Sequence, residues 1–303
     1  MERRGFIKRM GLGTALFSAA GAVSISALAE EKKLAAPFKM DFAPHFGMFK
    51  NHAPGGIADE LKFMADQGFR SLEDNGLLKR TVADQELIGK TLNDLGMRMG
   101  VFVIDGGDNW KVSLTTGKQE FLDTFLKTCR DSVEAAKRVN AKWMTVVPGY
   151  FERNLPMGVQ TGNVIEALKR GAEIFEPHGL TMVLEPLSDN PDLFLRHADQ
   201  TYMICKAVGS PSCKILYDIY HMQRNEGNLI ATMEKTWSEI AYIQIGDNPG
   251  RKEPGTGEIN YSNVFEWVNK KGFGGILGME HGNAQPGKEG ELALIEAYRK
   301  VDV

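Results

Sequence analysis

Eight short apolar runs, each followed by a stretch whose apolar residues recur at helical spacing, occupy the chain from about residue 38 to its end. The runs are Phe38–Phe42, Ser71–Glu73, Met99–Ile104, Trp143–Val147, Thr181–Glu185, Ile215–Asp218, Tyr242–Ile245 and Ile276–Glu280. Helices are predicted over 57–67, 84–95, 118–139, 163–176, 197–208, 228–238, 261–271 and 288–300. The third is the clearest, with Phe121, Phe125, Cys129, Val133 and Ala136 on one face; Pro177 and Gly179 stop the fourth. Strands alternating with helices imply a parallel sheet joined by crossover helices. Eight such units in a stretch of this length predict a closed (β/α)8 TIM barrel rather than an open sheet, one α/β domain spanning 37–303. Two segments, 148–162 and 246–260, are long and rich in Gly, Pro and Asn. Loops that follow barrel strands sit at the catalytic face, so both are expected to form lids or substrate walls.

The first residues read as an address. Arg3-Arg4-Gly5-Phe6-Ile7-Lys8 is a twin-arginine pattern, Met10–Ala29 is small, apolar and uncharged, and Ala27-Leu28-Ala29 supplies a small-x-small cleavage site. Residues 1–29 are therefore expected to be a signal peptide recognised by the twin-arginine export machinery. The mature chain is expected in the periplasm, without a permanent membrane anchor. The run matches a bilayer span in length, but its Gly, Ala and Ser content and the cleavage motif favour removal.

Removing four of the 36 basic and one of the 39 acidic residues leaves 32 and 38, a net charge of −6. Such a surface does not favour nucleic acid or anionic lipid. Self-association into a homo-oligomer is compatible with this composition. The three cysteines, Cys129, Cys205 and Cys213, form no cluster of the structural-zinc kind.

The chemistry is expected where polar residues interrupt apolar runs. Glu185, Asp218, Gln244 and Glu280 fall at or near the C-terminal ends of the fifth to eighth strands. In a barrel those ends meet at one mouth. Three carboxylates and an amide oxygen form a hard donor set that suits Mg²⁺ or Mn²⁺. Without a cation, crowded carboxylates repel and at least one is driven toward its protonated form.

These segments resemble the xylose-isomerase-like sugar isomerase/epimerase barrels, and within them the hydroxypyruvate isomerase group. The resemblance is carried by Leu184-Glu185-Pro186, by Asp218-Ile219-Tyr220-His221-Met222-Gln223, by Ile243-Gln244-Ile245-Gly246-Asp247-Asn248-Pro249-Gly250-Arg251, by Glu253–Tyr261 and by Glu280. It implies that Glu185 and Glu280 bind a divalent metal and act as the acid/base pair, with Asp218 and Gln244 completing the coordination. Gln244, where many epimerases carry His, resembles the hydroxypyruvate isomerase branch. His221 is expected to bond a substrate oxygen, and Arg251 to hold a substrate carboxylate through its fork of donors. His45 and Glu73, ending the first two strands, are further expected substrate contacts.

The expected activity is a metal-dependent isomerase that moves a proton through an enediolate of a small sugar or hydroxy-keto acid, such as hydroxypyruvate and tartronate semialdehyde. An epimerase or a 3-keto-sugar lyase/hydratase with the same glutamates is the alternative. A carbohydrate-binding barrel without turnover is a further one, disfavoured by the intact acid/base pair.

Overall fold

All strand pairs are parallel, as the alternation with helices requires. The computed structural model describes residues 34–303; the expected signal peptide lies outside them. The strands are β1 (Phe42–Ala43), β2 (Ser71–Leu72), β3 (Arg98–Met99), β4 (Phe102–Val103), β5 (Trp143–Val146), β6 (Thr181–Leu184), β7 (Cys213–Asp218), β8 (Ile240–Gln244) and β9 (Leu277–Gly278). The helices are α1 (Ile57–Asp66), α2 (Val82–Leu95), α3 (Gln119–Val139), α4 (Met157–Phe175), α5 (Ala198–Val208), α6 (Ile219–Asn225), α7 (Leu229–Thr236), α8 (Tyr261–Lys270) and α9 (Gly287–Val301).

Seven strands run in the order β1, β9, β8, β7, β6, β5, β4, and β2 pairs with β3. β3 and β4 are halves of the one strand predicted over Met99–Ile104, interrupted at Gly100 and Val101. A Cβ on Gly100 would lie 2.4 Å from the Tyr242 hydroxyl and 2.9 Å from Leu72 O. The glycine admits both, and its N–H donates to Leu72 O at 2.7 Å. The first half therefore pairs with β2 and the second with β5. A bridge between His45 and Glu73 ties the end of β1 to that of β2. Eight strand positions thus complete a TIM barrel.

Period-two alternation then places the site. Ala43, Val101, Val183, Leu216, Tyr242 and Ile276 form one small apolar cluster inside the barrel. Two residues beyond Val183, Leu216 and Tyr242 stand Glu185, Asp218 and Gln244, on the same inner face and one layer nearer the mouth. The intervening residues, Leu184, Tyr217 and Ile243, belong to the larger core between sheet and helices.

Four expectations shift. β1 begins at Phe42 rather than Phe38, because the Lys39 and Met40 N–H groups donate to the Asp302 carboxylate and not to a neighbouring strand. α4 starts at Met157, well before 163, so the expected long loop 148–162 is short; Gly158 and Gly162 look like loop residues but sit in its first turns. α6 follows β7 with no gap, capped by the Asp218 side chain accepting from Tyr220 N and His221 N. The predicted third strand is split, as above. All three cysteines are buried free thiols. Among the described residues no helix is long and apolar enough to cross a membrane.

Candidate active site

Four consecutive strands deliver the four expected side chains to one mouth. Asp218 and Gln244, the last residues of β7 and β8, are paired in register, and Gln244 pairs with Gly278 of β9. Glu185 follows β6 by one residue and Glu280 follows β9 by two. Asp218 and Gln244 are fully buried, Glu185 is 6% exposed, and the Glu280 side chain is 28% exposed. Glu185 and Glu280 line a cavity of about 350 Å³ together with Asn75, Lys79, Asp105, Asn109, Trp110, Leu187, Asp189, His221 and Arg251.

The hydrogen bonds here are incomplete. Asp218 spends Oδ1 on the Tyr220 and His221 N–H groups, at 2.8 and 3.3 Å. Glu185 Oε1, Gln244 Oε1 and Glu280 Oε2 are buried without any hydrogen-bond partner. Buried polar atoms are ordinarily paired. The ends of β6, β8 and β9 thus leave three acceptor oxygens that the protein itself does not satisfy.

Arg251 is the cation that, among the described residues, pairs with these acids. Its Nη2 lies 3.1 Å from Asp218 Oδ2, 3.1 Å from His221 Nε2 and 3.6 Å from Glu280 Oε1. The guanidinium packs over the Tyr220 ring, 5.0 Å from its centroid. The loop after β8 aims it: Asp247, fully buried, accepts from the Gly255, Gly257 and Ile259 N–H groups, and Arg251 itself takes a left-handed φ of 50°. His221 is fully buried, with Nδ1 beside the Ser188 hydroxyl at 2.8 Å and Nε2 facing Asp218 Oδ2 and Glu185 Oε1 at 3.5 and 3.8 Å. Among the described residues, Glu185, Asp218 and His221 form a group of ligand atoms close enough to share one metal ion. That group shares Glu185 and Asp218 with the expected ligand set and adds His221, expected only as a substrate contact.

One arginine does not balance three carboxylates. Burial, reinforced by the charges of Glu280 and Asp218, pushes Glu185 well above the usual carboxylate range. Burial also lifts Glu280, against the pull of Arg251 and with the push of Asp218 and Asp189, to about 7. Burial keeps His221 below the usual imidazole range.

The two remaining expected contacts are placed differently. His45 spans two loops, its Nδ1 2.9 Å from Phe46 O and its Nε2 3.1 Å from His281 O. Glu73 is 1% exposed, and its carboxylate is engaged by protein donors: Gln244 Nε2 at 2.7 Å and the Tyr242 hydroxyl at 3.0 Å. Sequence reasoning missed Asp189, Trp110 and the β4–α3 residues Asp105 and Asn109. They stand on loops with no periodic pattern to expose them.

The profile of the xylose isomerase-like TIM barrel family matches residues 61–301, most of the chain. The chain belongs to that family. Among curated family relatives, the hydroxypyruvate isomerase of Escherichia coli K12 is 37% identical over 138 residues, which cover 45% of this chain and 53% of that protein. The 2-oxo-tetronate isomerase of Cupriavidus necator is 28% identical over 258 residues, covering 83% of this chain and 95% of that protein. A solved structure titled AP endonuclease, family 2, from Brucella melitensis superposes with a TM-score of 0.71 at 24% identity, over 86% of this chain and 99% of that one. This last likeness concerns the fold.

Proposed function

We propose that the protein is a metal-dependent isomerase of small hydroxy-keto acids, of the hydroxypyruvate or 2-oxo-tetronate kind. The observation that carries the reading is the set of orphaned oxygens, Glu185 Oε1, Gln244 Oε1 and Glu280 Oε2, gathered with Asp218 at four adjoining strand ends. The names of the E. coli and C. necator relatives support the choice of reaction. Glu185, Asp218, Gln244 and Glu280 would hold a divalent cation, with His221 beside them; an all-oxygen set suits Mg²⁺ or Mn²⁺. When bound, such an ion supplies Lewis-acid polarisation of neighbouring carbonyl and hydroxyl oxygens, and so stabilises negative charge on an enediolate.

The residues do the rest. Glu185 and Glu280 flank Asp218 and Gln244 in strand order, so their carboxylates bracket whatever those two hold. One takes the proton from the carbon beside the carbonyl and the other returns a proton to the neighbouring carbon. A carboxylate that passes between its charged and neutral forms can both accept and donate the proton, as this exchange requires. Arg251 offers its planar fork to the substrate carboxylate, and buried His221, whose Nδ1 accepts from the Ser188 N–H at 3.2 Å, carries its ring proton on Nε2 for a substrate oxygen.

A keto-sugar substrate, with epimerisation or elimination as the outcome, is the second reading, and the cavity favours it. A three-carbon acid fills a small part of about 350 Å³, and Trp110, 52% exposed in the cavity wall, offers an apolar face to a sugar ring. The experiment is a Mn²⁺-dependent turnover screen in D2O across hydroxypyruvate, 2-oxo-tetronate and keto-glycosides. Carbon-bound deuterium in an isomerised acid supports the first reading. Turnover of keto-glycosides alone supports the second, and no turnover of either class with metal present contradicts both.

The leader pattern of residues 3–29 further supports export by the twin-arginine pathway into the periplasm. The mature protein recovered from a periplasmic fraction should begin at Glu30; a full-length cytoplasmic product would contradict this.

A further inference from the structure

We infer that Glu73 is a positioning residue whose carboxylate decides which end of the Gln244 amide faces the site. The inference rests on the reading above, in which Gln244 donates an oxygen to a divalent cation. An amide carries an oxygen at one end and an NH2 at the other, and only the oxygen can ligate a hard cation. Nothing in the shape of a glutamine chooses between them, because the two ends are nearly the same size.

The choice is made from below. Glu73 Oε1 accepts from Gln244 Nε2 at 2.7 Å and from Asn75 Nδ2 at 3.3 Å, and Oε2 accepts from the Tyr242 hydroxyl at 3.0 Å. Burial pushes the Glu73 carboxyl well above the usual carboxylate range, but Oε1, facing two N–H donors, is an acceptor in either form, and any proton sits on Oε2, where the Tyr242 hydroxyl can accept it. Turning the Gln244 amide over would set oxygen against oxygen at hydrogen-bond distance, with the carboxylate 1% exposed and little water to relieve the clash. Gln244 Oε1 is therefore directed away from Glu73, and it is this atom that is buried without a partner.

The space for the support is provided by an absent side chain. Gly278 is the β9 residue in register with Gln244. A Cβ there would lie 1.7 Å from Glu73 Oε2 and 3.1 Å from Gln244 Cγ. Gly100 gives the Tyr242 hydroxyl its room: a Cβ there would lie 2.4 Å from it. Two glycines, a tyrosine and a carboxylate drawn from four strand positions thus converge on one amide, the arrangement expected where a ligand's orientation matters.

The test is binding of Mn²⁺ to the purified full-length protein without substrate, followed by the electron paramagnetic resonance signal of free Mn²⁺. Relative to the unaltered protein, Glu73→Leu should weaken binding about 10–100-fold. Glu73→Gln, whose amide oxygen still accepts from the Gln244 NH2, should stay within a few-fold. Gly278→Ala keeps Glu73 but displaces its carboxylate, and should reproduce the loss even if Glu73→Leu does not fold. A carboxylate needs no orienting, so in a Gln244→Glu background the Glu73→Leu change should cause no loss. Equal affinity of Glu73→Leu and the unaltered protein, or the same fold loss in both backgrounds, would overturn the inference. Absence of Mn²⁺ binding by the unaltered protein would instead remove the metal reading on which the inference stands.

Discussion

At the scale of single residues, the site is defined by unpaired atoms. The strand-end carboxylates were legible in the sequence because an acid ending an apolar run conflicts with its surroundings. Which atoms are left unpaired was not legible, since that depends on partners such as Glu73 and Tyr242, 169 to 171 positions away from each other or from Gln244. Glu73 shows the limit well. Its position at a strand end suggests a substrate contact, whereas its burial and donors give it a supporting place beneath Gln244. In the proposed reaction Glu185 and Glu280 move the proton, so Glu185→Gln and Glu280→Gln, nearly isosteric, should each lower kcat by about 10²–10⁴. Circular dichroism melts should stay close to those of the parent. Parent-like turnover by either variant would contradict its acid/base role.

At the scale of elements, periodicity located the strands and most helices within a few residues, because each has one face in the large core. The misses share a cause: contacts distant in sequence override local signals. Asp302, at the end of the chain, takes the N–H groups that would have extended β1. Gln160, fully covered, accepts from Glu152 N and donates to Glu152 O and Leu155 O, fastening the first turns of α4 to the preceding loop despite Gly158 and Gly162. α6 was hidden because its cap, Asp218, is also the final strand residue and a site residue. Of the Gly- and Pro-rich stretch 246–260, Arg251 lines the cavity, and the stretch is held in place by one buried carboxylate, Asp247, accepting from three N–H groups. A loop composition with a central acid therefore held more structural information than its lack of periodicity suggested.

At the scale of the whole molecule, closing the barrel also buries titratable groups outside the cavity lining, and these shape its response to acid. His281 is 4% exposed, with Nε2 2.7 Å from the Tyr298 hydroxyl and Nδ1 3.1 Å from Gly282 O. Burial, partly opposed by the Gly282 bond, holds it down to about 3. A folded-state value below the ordinary ~6.5 means that the unfolded chain binds the proton first. This contribution is complete above pH 6.5 and is lost as pH falls toward 3. Between pH 7 and 4.5 the native protein should therefore lose on the order of 2–3 kcal/mol more unfolding free energy than His281→Gln, measured by urea titration. Equal pH slopes would show that His281 titrates normally in the fold. The same closure brings Glu185, Asp218, Gln244 and Glu280 from nearly a hundred positions of chain to one mouth, and the proposed chemistry depends on what they hold together. The most direct measurement is anomalous X-ray scattering from a crystal of the protein grown with Mn²⁺. One strong peak is expected within ligating distance of Glu185, Asp218, Gln244 Oε1 and Glu280. A well-ordered site with no peak, or a peak whose ligands leave out Gln244 and Glu280, would contradict the proposed metal site.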